Sequence, residues 1–237
     1  MQSIIIITRT FNRPKYFTGC MNSILGQDFD GRIVHLIMDQ NPEASRYAYE
    51  VVHPLFGGGE YQSIVYYNQI PKKADKVKIL HESGGKEYPL YHAPWNLHLK
   101  AALERVQQMV SVGEVSEDSI IMYLDDDDKF MGVNDCQTIA DNWRGDMMFW
   151  RVKFASRLVP YDHNFKENKI VRCDLSMIGF AHSVKMIPYN CFDEWALGDY
   201  RTAKSMDAQS SYQVWIDKAF TGLQRPNDNG LGKGDDK

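Results

Sequence analysis

Cysteine is scarce in this sequence: four in 237 residues, at Cys20, Cys136, Cys173 and Cys191. No two form a CxxC pair, which argues against a zinc ribbon and a thioredoxin-like motif. Scattered thiols in a chain of this size suit a reducing compartment and are expected to be buried and free. Long hydrophobic runs are missing too, and none approaches the roughly 18 apolar residues of a membrane span. The opening MQSIIIITRT has no basic segment ahead of its apolar one, which is too short for a signal peptide. A soluble, cytoplasmic protein is expected, at most peripheral at a membrane. Basic charge is not in excess: 27 Lys+Arg stand against 31 Asp+Glu. Double-stranded nucleic acid, which favours a basic face, is therefore a poor partner. The local group Lys72, Lys73, Lys76 and Lys78 reads as a solvated loop. There is no internal repeat.

What is present is ordinary globular composition, 43% hydrophobic and 24% charged, in a length that suits one domain with a sizeable core. SIIIIT, residues 3–8, is β-branched without polar alternation, the pattern of a strand buried on both faces. Residues 15–27 place Phe17, Cys20, Met21, Ile24 and Leu25 at helical spacing, with Gly26 at the end. Ile33–Met38 predicts a second strand ending at Asp39. Together these form a βαβ unit, whose crossover is right-handed in nearly every case.

Further along, a helix is predicted from Pro42 to Val52, a strand over 63–68, and a helix in APWNLHLKAALERVQQMV. The last of these carries Leu97, Ala101, Leu103 or Glu104, and Val106 about one axis. A fourth strand is expected in SEDSIIMYLDDDD and a fifth over 146–154. Residues 69–95 read as loop-rich, and FDEWALGDYRTAKSM and SYQVWIDKAF as loop and helix. The tail from 223 to 237 is rich in Gly, Asn, Asp and Pro and is expected to be flexible. The fold class that follows is α/β: a mostly parallel central sheet flanked by helices, with a smaller mixed region after it. In such sheets ligands bind outside the carboxyl ends of the strands. That places RTFNRP, Asp39 and the run Asp125–Asp128 on one rim.

Four adjacent carboxylates repel one another. An EF-hand does not account for them, because position 5 from Asp126 is Phe130 and position 3 from Asp127 is Lys129. Outside a solvated loop, the simplest reason to crowd them is a hard cation, Mn²⁺ or Mg²⁺, which takes one or two carboxylates together with substrate phosphates. If the strand direction carries into the run, Asp125 and Asp127 share one side and Asp126 points to the other.

The stretch from Ser3 to Asn41 resembles the opening of a family 2 glycosyltransferase of the GT-A fold. The shared features are a strand, a turn Thr10-Phe11-Asn12-Arg13-Pro14, a helix ending in Ser-Ile-Leu-Gly-Gln, and a strand ending in Asp39. NLHLKAAL from Asn96, Leu124-Asp125-Asp126-Asp127-Asp128 (a DxD motif) and FDEWALGDY over 192–200 resemble its later motifs, in order. The resemblance implies a metal-dependent, inverting, hexosyltransferase-type enzyme. It would move a sugar from a UDP- or GDP-type nucleotide sugar to a hydroxyl on a glycan, lipid-linked or other acceptor. Residues 1–130 would form the donor-binding half and 131–222 the acceptor and catalytic-base half of the same domain.

Residue by residue, the resemblance implies that Thr10, Arg13 and Asn96 meet the donor and that Asp39 sits at the base or ribose. Asp125 would approach the ribose and the metal, Asp127 would hold the metal, and Asp199 would be the general base. Asn96 serves equally well as a helix N-cap. The sequence departs from the family at Gln40, where a second Asp is common, and at Gly198, where Glu is common. A late metal-ligand His is also missing, since the last His is His182. His92, His98 and His182 have no ligand-like spacing and read as structural. Trp195 reads as core or as a sugar-stacking face. Two other readings stay open, a nucleotidyltransferase and a non-catalytic sugar-nucleotide or carbohydrate-binding module. The first usually shows a Gly-rich phosphate loop after its first strand, and RTFNRP has no Gly.

Overall fold

The computed structural model describes residues 2–11, 13–39, 47–52, 61–67, 79–83, 86–90, 96–154, 157–159, 165, 178–187 and 198–224. The elements run β1 (Ser3–Thr10), α1 (Pro14–Leu25), β2 (Arg32–Asp39), α2 (Tyr47–Val52), β3 (Tyr61–Tyr67), β4 (Ile79–Ser83), β5 (Lys86–Leu90), α3 (Asn96–Ser111), β6 (Ile120–Tyr123) and β7 (Asp128–Phe130). There follow α4 (Asp135–Asn142), β8 (Met147–Phe154), β9 (Arg157–Val159), β10 (Ile178–Ser183), α5 (Gly198–Gln209) and β11 (Gln213–Leu223). The main sheet has the order β3-β2-β1-β6-β10-β8-β11-β7, with β9 on β8, and β4 and β5 form a separate hairpin.

Strand β1 shows why the chain folds this way. Its isoleucines alternate between two cores. Ile4 and Ile6 pack with Cys20 and Ile24 of α1 and with Cys136 and Ile139 of α4. Ile5 and Ile7 pack with Leu99, Leu103, Val106 and Met109 of α3. A strand covered on both faces needs no polar alternation, so the unbroken apolar run is the expected signature. Pro14 opens α1 at a position where a missing N–H costs nothing. The end of α3 needs Gly113: its φ of 75° is left-handed, and Glu114 N–H donates to the Met109 carbonyl at 2.8 Å.

Three expectations need correction. The sheet is mixed rather than mostly parallel. β3, β2, β1 and β6 are parallel to one another and β11 is parallel to β8, but β10 is antiparallel to both β6 and β8, β11 to β7 and β9 to β8. SYQVWIDKAF is not a helix but most of β11, whose β-branched and aromatic residues fit a strand between β8 and β7. The buried stripe of α3 is Leu99, Ala102, Leu103, Val106 and Met109, with Leu97 off it and Ala101 at its margin. The loop-rich stretch 69–95 contains the β4–β5 hairpin.

Leu223 and Gln224, where the flexible tail was expected to begin, are held: Leu223 pairs with Asp128, and Gln224 N–H donates to the Asp127 carbonyl at 2.7 Å. Residues 225–237, Gln40, His92, Trp195 and the lysines at 72, 73, 76 and 78 lie outside the described residues.

Candidate functional site

The parallel register puts the sequence-predicted rim together. β1 ends at Thr10, directly opposite Asp39 of β2. On the other side β1 pairs with β6 through Ile7 and Tyr123, and Leu124 N–H still donates to the Ile7 carbonyl at 3.0 Å. The backbone ladder then stops, but its register continues in side chains. Ile4 pairs with Ile120 across the ladder, and the same separation of 116 residues links Arg9 to Asp125 and Thr10 to Asp126.

Arg9 grips Asp125 with two bonds, Nε to Oδ1 at 3.0 Å and Nη2 to Oδ2 at 2.7 Å. This is the bidentate fork that makes Arg–carboxylate pairs strong. Asp126 is 2% exposed. Its Oδ2 accepts from Thr10 Oγ1 at 3.0 Å and from Phe11 N–H at 3.3 Å, and its Oδ1 accepts from Arg13 Nη1 at 2.9 Å. The same Arg13 Nη1 lies 3.3 Å from Asp127 Oδ2. Asp126 therefore does not point away from the site. Strand β6 ends at Tyr123, and Asp125–Asp127 form a turn closed by Asp128 N–H on the Asp125 carbonyl at 2.9 Å. Strand alternation does not apply within a turn.

Arg9 and Arg13 are paired with the run, and burial acts on its carboxylates as well. Burial first, then the neighbouring charges of Asp127 and Asp125, push Asp126 up to about 6, against the pull of Arg13. Asp128 is pushed well above the usual carboxylate range by burial and by Asp127, Asp125 and Asp126. Its Oδ1 is buried with no hydrogen-bond partner among the described residues. For Arg13, burial works against the charged form, but Asp126 and Asp127 outweigh it and its pKa is raised.

The run is also stapled from the far end of the chain. The Gln224 side-chain amide donates to the carbonyls of Tyr16 and Asp128, each at 3.0 Å. Gly19 of α1 leaves room for that amide: a Cβ there would collide with Gln224 Oε1.

Of the other predicted residues, Asp39 is fully buried at the end of β2. Asn96 and Asp199 open α3 and α5, as the first residue of one and the second of the other; their side chains lie outside the described residues. His182 is not a ligand in waiting. Its Nδ1 donates to the Ser183 carbonyl at 2.9 Å, which leaves Nε2 to accept from the Tyr123 hydroxyl at 2.7 Å. Sequence reasoning missed Arg9, the hub role of Asp126, and Gln224. The first two were findable by carrying the β1–β6 pairing past the strand ends; Gln224 had no local signal.

The donor set is all carboxylate oxygen, the chemistry a hard cation prefers. Among the described residues no group of three His, Cys, Asp or Glu side chains is arranged to hold a metal. Asp125 and Asp127 are the carboxylates that would hold such a cation, with the rest of its shell taken from a ligand's phosphates. They do not fit a closed protein cage. The side chains of Asp125 and Asp127 are 41% and 14% exposed. No described helix is long and apolar enough to cross a membrane.

No family model matches the sequence, and no curated protein matches it. Solved structures do. The fold is similar to that of S. aureus TarS, with a TM-score of 0.62 at 15% identity over 94% of this chain and 36% of that one. TarS 1-349 in complex with UDP-GlcNAc matches with a TM-score of 0.60 at 18% identity, over 94% of this chain and 58% of that one. The mannosyltransferase PcManGT from Pyrobaculum calidifontis, in complex with GDP-Man and Mn²⁺, matches with a TM-score of 0.50 at 13% identity, over 95% of this chain and 58% of that one. At these identities the likeness shows a shared fold. The chain spans between about a third and three-fifths of the length of those chains.

Proposed function

We propose that the protein is a metal-dependent glycosyltransferase that uses a nucleotide-diphosphate sugar. The observation that carries this reading is the knitted rim: the β1–α1 turn and the acidic run converge at the carboxyl ends of β1 and β6, where an α/β sheet binds its ligands. The fold is shared with structures solved in complex with UDP-GlcNAc and with GDP-Man and Mn²⁺. These support a UDP- or GDP-type donor. In this reading Arg13 and Thr10 face the donor diphosphate, Asp125 the ribose, and Asp39 and Asn96 the nucleoside side. Asp127, with Asp125, would hold Mn²⁺ or Mg²⁺, which supplies charge neutralisation on the diphosphate leaving group.

The chemistry is displacement at the anomeric carbon. Asp199 takes the proton of the acceptor hydroxyl as the new oxygen–carbon bond forms. The bond to the diphosphate oxygen breaks, and the nucleoside diphosphate leaves with that electron pair. One base and one direct displacement invert the anomeric configuration. A base in hydrogen-bond reach contributes about 10² to 10⁴ in rate. The position of Asp199 in the first turn of α5 suits an acid carried by the acceptor half. The acceptor is a hydroxyl of a glycan, a lipid-linked carrier or another molecule.

A thermal-shift screen of UDP-, GDP-, CDP- and TDP-sugars with and without Mn²⁺ tests the reading. Metal-dependent stabilisation by at least one is expected; none from any of them would sink it.

A further inference from the structure

We propose that Asp126 is a positioning residue: its carboxylate, buried in the acidic run, fixes Thr10 and Arg13 in the geometry with which they meet the donor. The inference rests on the donor reading above and deepens it.

Three donors from one turn converge on this one side chain. Thr10 Oγ1 and Phe11 N–H share Oδ2, at 3.0 and 3.3 Å, and Arg13 Nη1 takes Oδ1 at 2.9 Å. With both oxygens committed and 2% of the residue exposed, Asp126 is poorly placed to touch a ligand itself. Its effect must pass through the groups it holds. Arg13 is the one that matters for an anion. Both of its carboxylate contacts, to Asp126 and to Asp127 at 3.3 Å, are made through Nη1. A guanidinium carries five N–H donors in a rigid fork. With one corner anchored, Nε and Nη2 are the donors left to meet a phosphate as a unit.

The anchor also makes the turn and the run one object. Arg9–Asp125 and Thr10–Asp126 extend the β1–β6 register, and Arg13 is joined to that register through Asp126. Preorganisation of this kind lowers the ordering cost of binding an anion.

The test uses the full chain and the probes UDP and GDP, each titrated calorimetrically with Mn²⁺ present. The variants are Asp126→Asn, Arg13→Gln and the two combined. Asp126→Asn keeps the shape and one acceptor but removes the charge that holds Arg13. It is expected to weaken nucleotide binding by about tenfold or more, the scale of one charge-assisted hydrogen bond. Arg13→Gln should do the same. The double variant should be no more than about threefold weaker than either single one, because the two act as one unit.

A merely structural role for Asp126 gives a different result: a lower melting temperature, with binding losses that multiply with those of Arg13→Gln. Unchanged affinity in Asp126→Asn, or multiplied losses in the double variant, overturns the proposal while leaving the donor reading intact. No nucleotide binding by the unaltered chain overturns both. Should Asp126→Asn fail to fold, Asp126→Glu carries the same test. It keeps the charge and displaces the carboxylate by one methylene, and unchanged affinity there is equally fatal.

Discussion

The two halves of the main sheet bury their strands by different means. In the first, β3, β2, β1 and β6 run parallel, and β1 and β2 are sealed on both sides by helices. In the second, β10, β8, β11 and β7 mix directions, and large rings fill the space. Phe149 stacks on Trp215 at 4.5 Å, and Trp150 meets Phe220 edge-on at 5.8 Å. Gly179 of β10 exists to admit the Trp150 ring, which a Cβ would strike. The difference decides where a site can form. Parallel strands end together, so the first half has a common rim where Thr10, Asp39 and the acidic run meet. Strands of mixed direction share no such rim, and the base proposed for the second half, Asp199, stands at the start of a helix, α5.

The largest expected effect tests that division directly. Asp199→Asn should cut glycosyl transfer by about 10² to 10⁴ while leaving nucleotide binding within a factor of two. Asp127→Ala should abolish both metal-dependent binding and turnover. Equal losses of binding in the two variants would erase the proposed contrast between a donor half and an acceptor half.

Core truncations come next and ask whether the halves unfold together. Ile6→Ala in the first half should cost roughly 2–5 kcal/mol and Phe220→Ala in the second roughly 3–5 kcal/mol. Both residues belong to one continuous core and are fully buried. A single urea transition with a lowered midpoint is therefore expected for each. Two transitions in either variant would show that the halves are separate cooperative units.

Each half also buries a neutral imidazole. Burial lowers His35 to about 3. It lowers His182 to about 4, against the pull of the Ser183 carbonyl. The unfolded chain binds a proton near 6.5 and the folded chain does not, so each contributes stability that is lost as pH falls from about 6.5 toward 4. Asp126 and Asp128 act in the opposite sense. A raised folded pKa means that the folded state gains stability as pH falls, and for Asp126 that gain runs from about 6 toward the usual carboxylate range. A difference measurement separates the two. His182→Gln should remove on the order of 3 kcal/mol of the stability lost by the unaltered protein between pH 7 and 4, read from urea midpoints. An unchanged pH slope would mean that His182 is not held neutral.

The first half was legible in the sequence and much of the second was not, for physical reasons. A strand covered on both faces advertises itself as a run such as Ile4–Ile7, and its carboxyl end points to the rim. The acidic run was placed correctly because it follows such a strand. What failed was the assumption that strand alternation continues into it; the ladder stops at Tyr123, and side-chain pairs with Arg9 and Thr10 take over. In the second half, β11 carries Asp217 and Lys218 where its register with β8 shifts, which breaks the two-residue period and imitates a helix. The contact of Gln224 with the acidic run spans about 100 residues, and no local pattern can announce it.

That contact supplies the smallest and most discriminating prediction, because it ties the two halves together. Gly19 sits inside α1, where Ala is preferred by about 1 kcal/mol. A Cβ at that position would collide with Gln224 Oε1, whose amide holds the carbonyls of Tyr16 and Asp128. Each of those bonds contributes about 0.5–1.5 kcal/mol. Gly19→Ala alone should therefore change stability little, the helix gain offsetting the displaced amide. In a Gln224→Ala background the collision is gone, and the same Gly19→Ala step should stabilise by about 1 kcal/mol. If the step has the same small effect in both backgrounds, Gly19 is not there to admit Gln224. The end of β11 would then be joined to the acidic run only through the backbone pairing of Leu223 with Asp128 and the bond from Gln224 N–H to the Asp127 carbonyl.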